Sequence, residues 1–173
     1  MLICHFLIGP PASGKSTLAS ELAALTKGCI VSTDRVREQL FGDEIIQGDW
    51  SAIQREVISQ MGEAIAAGQS IIYDATNAKR EWREDLLETV ARELEAKQLQ
   101  WIAWYVTTSI EKCKEWNQKR SRKVPEEVIE AMFASLKQVP PSAEEGFLAV
   151  VPVVATQLDR QKLEQQIRKV IRS

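Results

Sequence analysis

The sequence predicts an α/β protein in which about five mostly parallel strands form a sheet with helices on both faces. Short apolar runs alternate along the chain with longer segments of helical spacing, which is the pattern of βαβ units. In addition, 173 residues with a hydrophobic fraction of 45% and a charged fraction of 27% suit one globular domain with one sizeable core. We therefore expect residues 1–173 to form a single domain.

The N-terminal half is predicted to contain three strands and three helices. Its strands are apolar runs, and the first stops at Gly9 as a strand buried on both faces would. Two of its helices are followed by glycine, at Gly28 and Gly68, and Thr33 is placed to cap a third. In chain order the elements are a strand Leu2–Ile8, a helix Lys15–Thr26, a strand Cys29–Ser32, helices 34–41 and 50–67, and a strand 70–73.

The C-terminal half is predicted to contain two strands and four helices. The first of these helices is long and amphipathic, with mixed charges on its polar face. Pro125 is expected to be the first residue of a helix, and Pro140 and Pro141 break the chain after that helix ends. In chain order the elements are a helix 79–97, a strand Leu99–Val106, helices 111–119 and 125–138, a strand 147–154, and a helix 158–171.

The charge and cysteine content exclude several classes of protein. The formal net charge is −2, so the chain lacks the broad basic surface that holds long nucleic acids through their phosphates. Three scattered cysteines and one histidine argue against a structural zinc site and for a reducing compartment. The N-terminal apolar run is too short to span a bilayer and lacks the features of a signal peptide. We therefore expect a cytoplasmic protein without a structural metal and without a membrane segment.

The segment from Gly9 to Ser16 matches the phosphate-binding pattern G-x-x-x-x-G-K-[ST] in full. Glycine lets the backbone curl so that successive N–H groups point at phosphate oxygens, and the following helix presents its positive N-terminus to the same anion. The pattern follows a buried strand and opens a helix, as a P-loop requires. We expect ATP to be bound here, with Mg²⁺ on the Ser16 hydroxyl, by Gly9, Ala12, Ser13, Gly14, Lys15, Ser16 and Thr17.

The remaining motifs decide which kind of nucleotide-binding protein this is. A GTPase would carry N-K-x-D and a D-x-x-G after a strand, and the nearest segment, which begins at Asn117, does not fit. A large oligomeric motor ATPase would need more chain for its second domain. The sequence therefore leaves two hypotheses, a small phosphotransferase and a small ATP-driven switch.

Two further strand ends carry candidate acceptor-side residues. Asp34 and Arg37 stand one helical turn apart after the second strand, where a carboxylate could take the proton of an acceptor hydroxyl and a cation could hold the acceptor. The alternative is that Asp34 only caps its helix and Arg37 is a solvated charge. Asp74 closes the third strand as a candidate Mg²⁺ carboxylate, and Thr76 or Asn77 could contact phosphate or acceptor unless Asn77 only forms a turn.

A basic segment from Lys112 to Lys123 ends where a new helix begins at Pro125. A basic hinge between two helices is typical of a lid that closes cations over phosphates and excludes water. We expect the lid to span about 112–138, with Arg120 as the first candidate and Arg122 as the second for binding the nucleotide. The alternative is a solvated basic face.

Taken in order, these motifs resemble the P-loop kinase-like ATP-binding family, an AAA-type domain that includes the kinase domain of phage-type polynucleotide 5′-kinases. The matching segments are Gly9 to Thr17, Ser32 to Gly42, Tyr73 to Asn77, Asn117 to Arg120, Val124 to Val128, and Glu145 to Phe147. The resemblance implies the three-layer α/β/α P-loop NTPase fold of the nucleoside-kinase type. It further implies that Asp34 is the general base, that Arg37 contacts the acceptor or its phosphate, and that Arg120 stabilises the transferring phosphoryl group.

The chain departs from that family at one position in the lid. The family's helix usually carries Arg-Asn where this chain has Trp116 and Asn117, so one lid cation is absent. Trp116 is expected either to stack on a base or to pack as a helix aromatic.

The leading hypothesis is an ATP- and Mg²⁺-dependent phosphotransferase in which Lys15 and the loop amides hold the γ-phosphate and Asp34 is the base. Its acceptor would be a polynucleotide 5′-hydroxyl, with a short or single strand held by the basic lid, or a hydroxyl of a small metabolite. The alternative is an ATP-hydrolysing switch or accessory protein that acts on an RNA- or protein-modification partner.

Overall fold

The computed structural model describes residues 1–44, 46–94 and 99–172, which form one five-stranded sheet with helices on both faces. The strands are β1 (Leu2–Ile8), β2 (Cys29–Ser32), β3 (Ile71–Asp74), β4 (Leu99–Val106) and β5 (Ala149–Val153). The helices are α1 (Lys15–Thr26), α2 (Thr33–Phe41), α3 (Trp50–Ala66), α4 (Arg80–Glu93), α5 (Ile110–Lys119), α6 (Glu126–Gln138) and α7 (Arg160–Arg172). Short 3₁₀ turns lie at Ala143–Glu145 and Ala155–Gln157.

The sheet has the order β2-β3-β1-β4-β5, and every described strand pair is parallel. The predicted α/β class is therefore confirmed, and the strand that precedes the P-loop is the central one. Because all five strands run the same way, their carboxyl ends meet at one edge, where ligands bind in sheets of this kind.

Two apolar cores lie on opposite faces of the sheet, as the side-chain alternation along β1 requires. Cys4, Phe6 and Ile8 pack on the face covered by α3, α4 and part of α6, while Leu7 packs on the face covered by α1 and α7. The molecule is thus a three-layer α/β/α sandwich. None of the described helices has the length and apolarity needed to cross a membrane.

Several predicted boundaries are wrong by one to three residues. Ser32, and not Thr33, caps α2, because its hydroxyl accepts the backbone N–H of Arg35 at 3.5 Å. Pro125 lies at the N-cap of α6 rather than inside it. The 79–97 helix begins at Arg80 and ends at Glu93, and its predicted last residues, 95–97, lie outside the described part of the chain.

The predicted strand 70–73 is displaced by one residue, and the last strand is shorter than predicted at both ends. Asp74 belongs to β3, where it pairs in register with Ser32 and Leu7. The predicted strand 147–154 covers only Ala149–Val153. The predicted helix 158–171 begins at Arg160, because a 3₁₀ turn comes before it.

The single histidine of the chain is buried between the sheet and the α1 layer. His5 is 1% exposed, and its Nδ1 accepts the indole N–H of Trp104 at 3.0 Å. Burial lowers the pKa of His5 from 6.5 to about 4, because the charged imidazolium would lose its hydration. The unfolded chain therefore binds more protons than the folded one between those two values, and folding stability falls as pH falls through that window.

We expect the His5→Gln variant to lose this part of the acid sensitivity, because glutamine can still accept a hydrogen bond but does not titrate. Between pH 7 and pH 5 the wild-type protein should lose about 2 kcal/mol more unfolding free energy than the variant. Urea unfolding at the two pH values measures the difference. Equal losses in both proteins would show that His5 does not titrate differently on folding.

Candidate active site

The P-loop between β1 and α1 is held in a tight curl by its own residues and by the neighbouring strand ends. Gly14 has a φ of 97°, which glycine adopts without strain, and Ala12 has a φ of 58°. The backbone N–H of Gly9 donates to the carbonyl of Thr76 at 3.1 Å, and the hydroxyl of Thr108 donates to the carbonyl of Ser13 at 2.7 Å. The loop is therefore fixed to the ends of β3 and β4.

Gly14 also lies where two later segments of the chain approach the loop. A Cβ at this position would lie 2.7 Å from Cβ of Ala155 and 3.3 Å from the ring of Trp116. Trp116 is half-buried on α5, and the ammonium of Lys112 lies 5.7 Å from the centre of a Trp116 ring. The tryptophan that replaces the family's arginine therefore packs beside the P-loop, and its side chain keeps some exposed surface.

Lys15 is the buried cation of the site. Its side-chain ammonium donates to the carbonyl of Pro10 at 2.8 Å, and the residue is 8% exposed. Burial lowers the pKa of Lys15, and the carboxylates of Asp74 and Asp34 oppose that shift. An ammonium that is poorly hydrated and close to the loop amides is well placed to bind a phosphate.

Ser16 and Asp74 form the second polar pair of the site. The Ser16 hydroxyl donates to Oδ2 of Asp74 at 3.1 Å. This hydrogen bond joins the first turn of α1 to the end of β3. Burial raises the pKa of Asp74, while Lys15 and the hydrogen bond from Ser16 oppose that shift. A buried carboxylate beside a hydroxyl is a suitable partner for a hard cation.

Asp34 and Arg37 face each other on the first turns of α2. Nη1 of Arg37 lies 3.1 Å from Oδ1 of Asp34, and the side chain of Arg37 is 15% exposed while that of Asp34 is 46% exposed. Within the described residues, Nε of Arg37 is buried without a hydrogen-bond partner. The i, i+3 spacing in the sequence thus brings both groups together, and Asp34 remains open to a ligand.

The two predicted lid arginines both reach the site, from the loop between α5 and α6. Arg120 is exposed and lines a cleft of about 110 Å³ together with Ser16, Asp34, Glu44 and Asp74. Arg122 contacts the carboxylate of Glu44, and its Nη1 lies 3.7 Å from Oδ2 of Asp34. Arg122 therefore pairs with the carboxylates of Glu44 and Asp34, and its binding of the nucleotide stays a prediction.

Glu44 and Arg83 are not among the residues to which the sequence points, and Glu145 enters there only as part of the matching segment Glu145 to Phe147. Glu44 follows α2, and only the acidic character of its loop opposite a basic lid could have indicated it. Arg83 and Glu145 form a fully buried ion pair, with Nε–Oε2 and Nη2–Oε1 distances of 2.5 and 2.7 Å. Arg83 also donates to the carbonyl of Asn77 at 3.1 Å, so the pair supports the loop that follows β3.

Asn77 has a structural task at the end of β3. It adopts a positive φ of 52°, and its amide donates to the carbonyl of Leu7 at 2.7 Å and to that of Ala75 at 3.3 Å. The amide is thus used to join the ends of β1 and β3, and a contact of Asn77 with phosphate or acceptor stays a prediction.

Comparison with known families decides the classification of the chain. A family model described as an AAA domain matches residues 4–139. The chain belongs to this family. The match begins in β1 and ends just after α6, so this AAA domain includes the P-loop, α2, the end of β3 and the lid arginines.

No curated protein matches the chain in a sequence search. Among solved structures, a proposed kinase from Chloroflexus aurantiacus has a TM-score of 0.73 at 18% identity, with 99% of this chain and 96% of that chain covered. Kti12 from Chaetomium thermophilum, solved with ADP-AlF3, has a TM-score of 0.68 at 16% identity, with 97% and 98% covered. A sugar kinase from Janibacter has a TM-score of 0.66 at 18% identity, with 99% and 95% covered. At these identities the similarities establish the P-loop kinase fold of this AAA domain.

Proposed function

We propose that this AAA domain is an ATP- and Mg²⁺-dependent phosphotransferase that moves the γ-phosphate of ATP to a hydroxyl acceptor. The observation that carries the proposal is the single cleft that Ser16, Asp34, Asp74 and Arg120 line together. A P-loop residue, two carboxylates and a lid cation in one cleft are the parts that in-line phosphoryl transfer needs. Family membership supports nucleotide binding at the P-loop.

Ser16 and Asp74 fit a Mg²⁺ ion that shares its ligands with nucleotide phosphates. Their oxygens lie 3.1 Å apart, and Mg²⁺ is commonly held by one or two protein oxygens together with substrate phosphates and water. Within the described residues there is no cluster of three or more His, Cys, Asp or Glu side chains that could hold a metal by themselves. When bound, Mg²⁺ would neutralise the charge of the phosphate oxygens.

Asp34 is the proposed general base, and Arg37 beside it is proposed to orient the acceptor. Its carboxylate is the half-exposed one in the cleft, so an acceptor hydroxyl can approach it. Arg37 has one buried N–H without a partner among the described residues, which supports a polar group of the acceptor as its missing ligand. Arg120 is proposed to stabilise the phosphoryl group during transfer.

A small hydroxyl-bearing acceptor suits the cleft best. Its volume is about 110 Å³, and the polar groups of Ser16, Asp34 and Asp74 line it, which suits a small molecule that carries hydroxyl groups. The 5′-hydroxyl of a short nucleic acid strand is the second candidate, because Lys119, Arg120 and Lys123 are exposed on the lid and could contact backbone phosphates.

Labelled ATP tests the proposal. We expect the wild-type protein to transfer label to an acceptor from a panel of sugars, polyols, nucleosides and 5′-hydroxyl oligonucleotides. Lys15→Ala should weaken ATP binding by about tenfold or more, since it removes the buried ammonium, and transfer should be lost with it. The matched control is Lys162→Ala on the exposed face of α7, which should change neither. If ATP is hydrolysed in a Lys15-dependent way and no acceptor is ever labelled, the ATP-hydrolysing switch replaces the kinase.

A further inference from the structure

The side chain of Asn117 bonds to both backbone groups of a single residue on the far side of the lid loop. Its Nδ2 donates to the carbonyl of Val124 at 2.8 Å, and its Oδ1 accepts the N–H of Val124 at 2.9 Å. Asn117 is 1% exposed, although it lies near the end of α5 beside exposed residues. The N–H of Arg120 also donates to the carbonyl of Asn117 at 3.2 Å. One residue therefore closes the base of the loop from both its side chain and its backbone.

This pair of hydrogen bonds selects asparagine at position 117. The backbone of one residue offers an N–H donor and a carbonyl acceptor. The asparagine side-chain amide offers the complementary acceptor and donor in one plane. Aspartate can accept the N–H of Val124 but would place a carboxylate against its carbonyl. Leucine has a similar size but would leave both backbone groups without partners in a buried position, which is unfavourable.

The loop that Asn117 closes carries the two lid arginines. Arg120 lines the cleft, and Arg122 contacts Glu44 and approaches Asp34. The other two residues of the loop, Ser121 and Lys123, are exposed. Few apolar contacts are available to order such a polar loop, and arginine side chains have many rotamers to lose. The loop is thus held at its base by Asn117 and at its tip by the ion pair of Arg122.

We propose that Asn117 is a positioning residue, whose amide fixes loop 120–123 so that Arg120 and Arg122 are held at the cleft. It touches neither ATP nor acceptor in this proposal and acts only through the two arginines. Its effect on turnover rests on the proposed phosphotransferase function, whereas its effect on the loop does not. A small displacement of groups that orient reactants is enough to lower the rate of transfer.

Limited proteolysis measures the loop directly, because trypsin cleaves after Lys119, Arg120, Arg122 and Lys123. We expect Asn117→Leu and Asn117→Asp to raise native-state cleavage in this loop by about tenfold or more, as read by mass spectrometry, with cleavage elsewhere unchanged. The matched control is Gln118→Ala, an exposed neighbour whose amide donates to Glu126 at 3.3 Å, and it should cleave like the wild-type protein. In the transfer assay both Asn117 variants should lower kcat by about tenfold or more while the KM for ATP stays within about threefold.

Unchanged loop cleavage in both Asn117 variants would overturn the proposal. If Asn117→Leu is cleaved along the whole chain, this variant has unfolded, and the cleavage pattern of Asn117→Asp then tests the proposal. If Asn117→Asp is also cleaved along the whole chain, Asn117 serves global stability and the proposal is wrong. A loosened loop with unchanged kcat would refute the positioning role while the phosphotransferase stands. If the wild-type protein labels no acceptor, the proposed function fails, and the cleavage comparison still decides whether Asn117 orders the loop.

Discussion

Asp34→Asn is expected to lower the rate of phosphoryl transfer by about 10²-fold or more, the usual scale for loss of a general base. An amide occupies the same space as the carboxylate but cannot accept the proton of an acceptor hydroxyl. ATP should still bind within a few-fold, because Lys15 and the loop amides are intact in the variant. Single-turnover transfer at saturating ATP gives the rate, and titration with ATP gives the affinity.

Two further variants separate the loss of the base from other effects of the substitution on the rate. Glu38→Gln changes an exposed carboxylate on the same helix and should leave the rate unchanged. Arg37→Ala removes the cation that lies 3.1 Å from Asp34, and it measures how much of the Asp34→Asn loss arises from a displaced Arg37. A parallel loss of ATP affinity in Asp34→Asn would assign Asp34 to nucleotide or metal binding and refute its role as base.

Arg83→Met is expected to have the largest effect on stability, about 3–5 kcal/mol of unfolding free energy. The side chains of Arg83 and Glu145 are both 0% exposed, so removing the guanidinium leaves a buried carboxylate without its cation. The carbonyls of Asn77 and Ala78 lose their guanidinium partner at the same time. Urea unfolding followed by tryptophan fluorescence gives the difference.

The same helix provides the matched control. Arg80 and Glu84 pair at 2.7 Å on α4, but their side chains are 42% and 38% exposed, so Arg80→Ala should cost far less unfolding free energy than Arg83→Met. Replacing both buried partners, as Arg83→Met with Glu145→Leu, should recover much of the loss because no charge is left unpaired. Equal losses of unfolding free energy in Arg83→Met and Arg80→Ala would show that burial does not determine how much an ion pair contributes to stability.

The sequence allows the sheet and the P-loop to be predicted closely because both depend on local patterns. β1 and β4 have the predicted bounds, since each is a single apolar run in a strand with one sheet neighbour on each side. The cap of α2 was assigned to Thr33 instead of Ser32, because either hydroxyl can cap and only the backbone conformation decides between them. Errors of this kind are confined to element ends.

The features that were missed depend on contacts between distant parts of the chain. Arg83 and Glu145 are 62 residues apart, and no local pattern pairs them, although Glu145 also accepts the N–H of Ser142 at 3.1 Å in a capping box. One signal was available, since Arg83 lies on the same helical stripe as Leu86 and Val90, and an arginine in an apolar stripe indicates a buried partner. The partner itself follows only from the tertiary fold.

The central position of β1 divides the site between two halves of the sheet. β2 and β3 lie on one side, where β2 leads to Asp34 on α2 and β3 ends in Asp74, while β4 and β5 lie on the other and lead to Trp116 and Ala155 beside the P-loop. Under the proposed function, substitutions on α2 are therefore expected to change the choice of acceptor, whereas substitutions in the segments that pack beside Gly14 are expected to change ATP binding. Such a division separates the choice of acceptor from the source of phosphate.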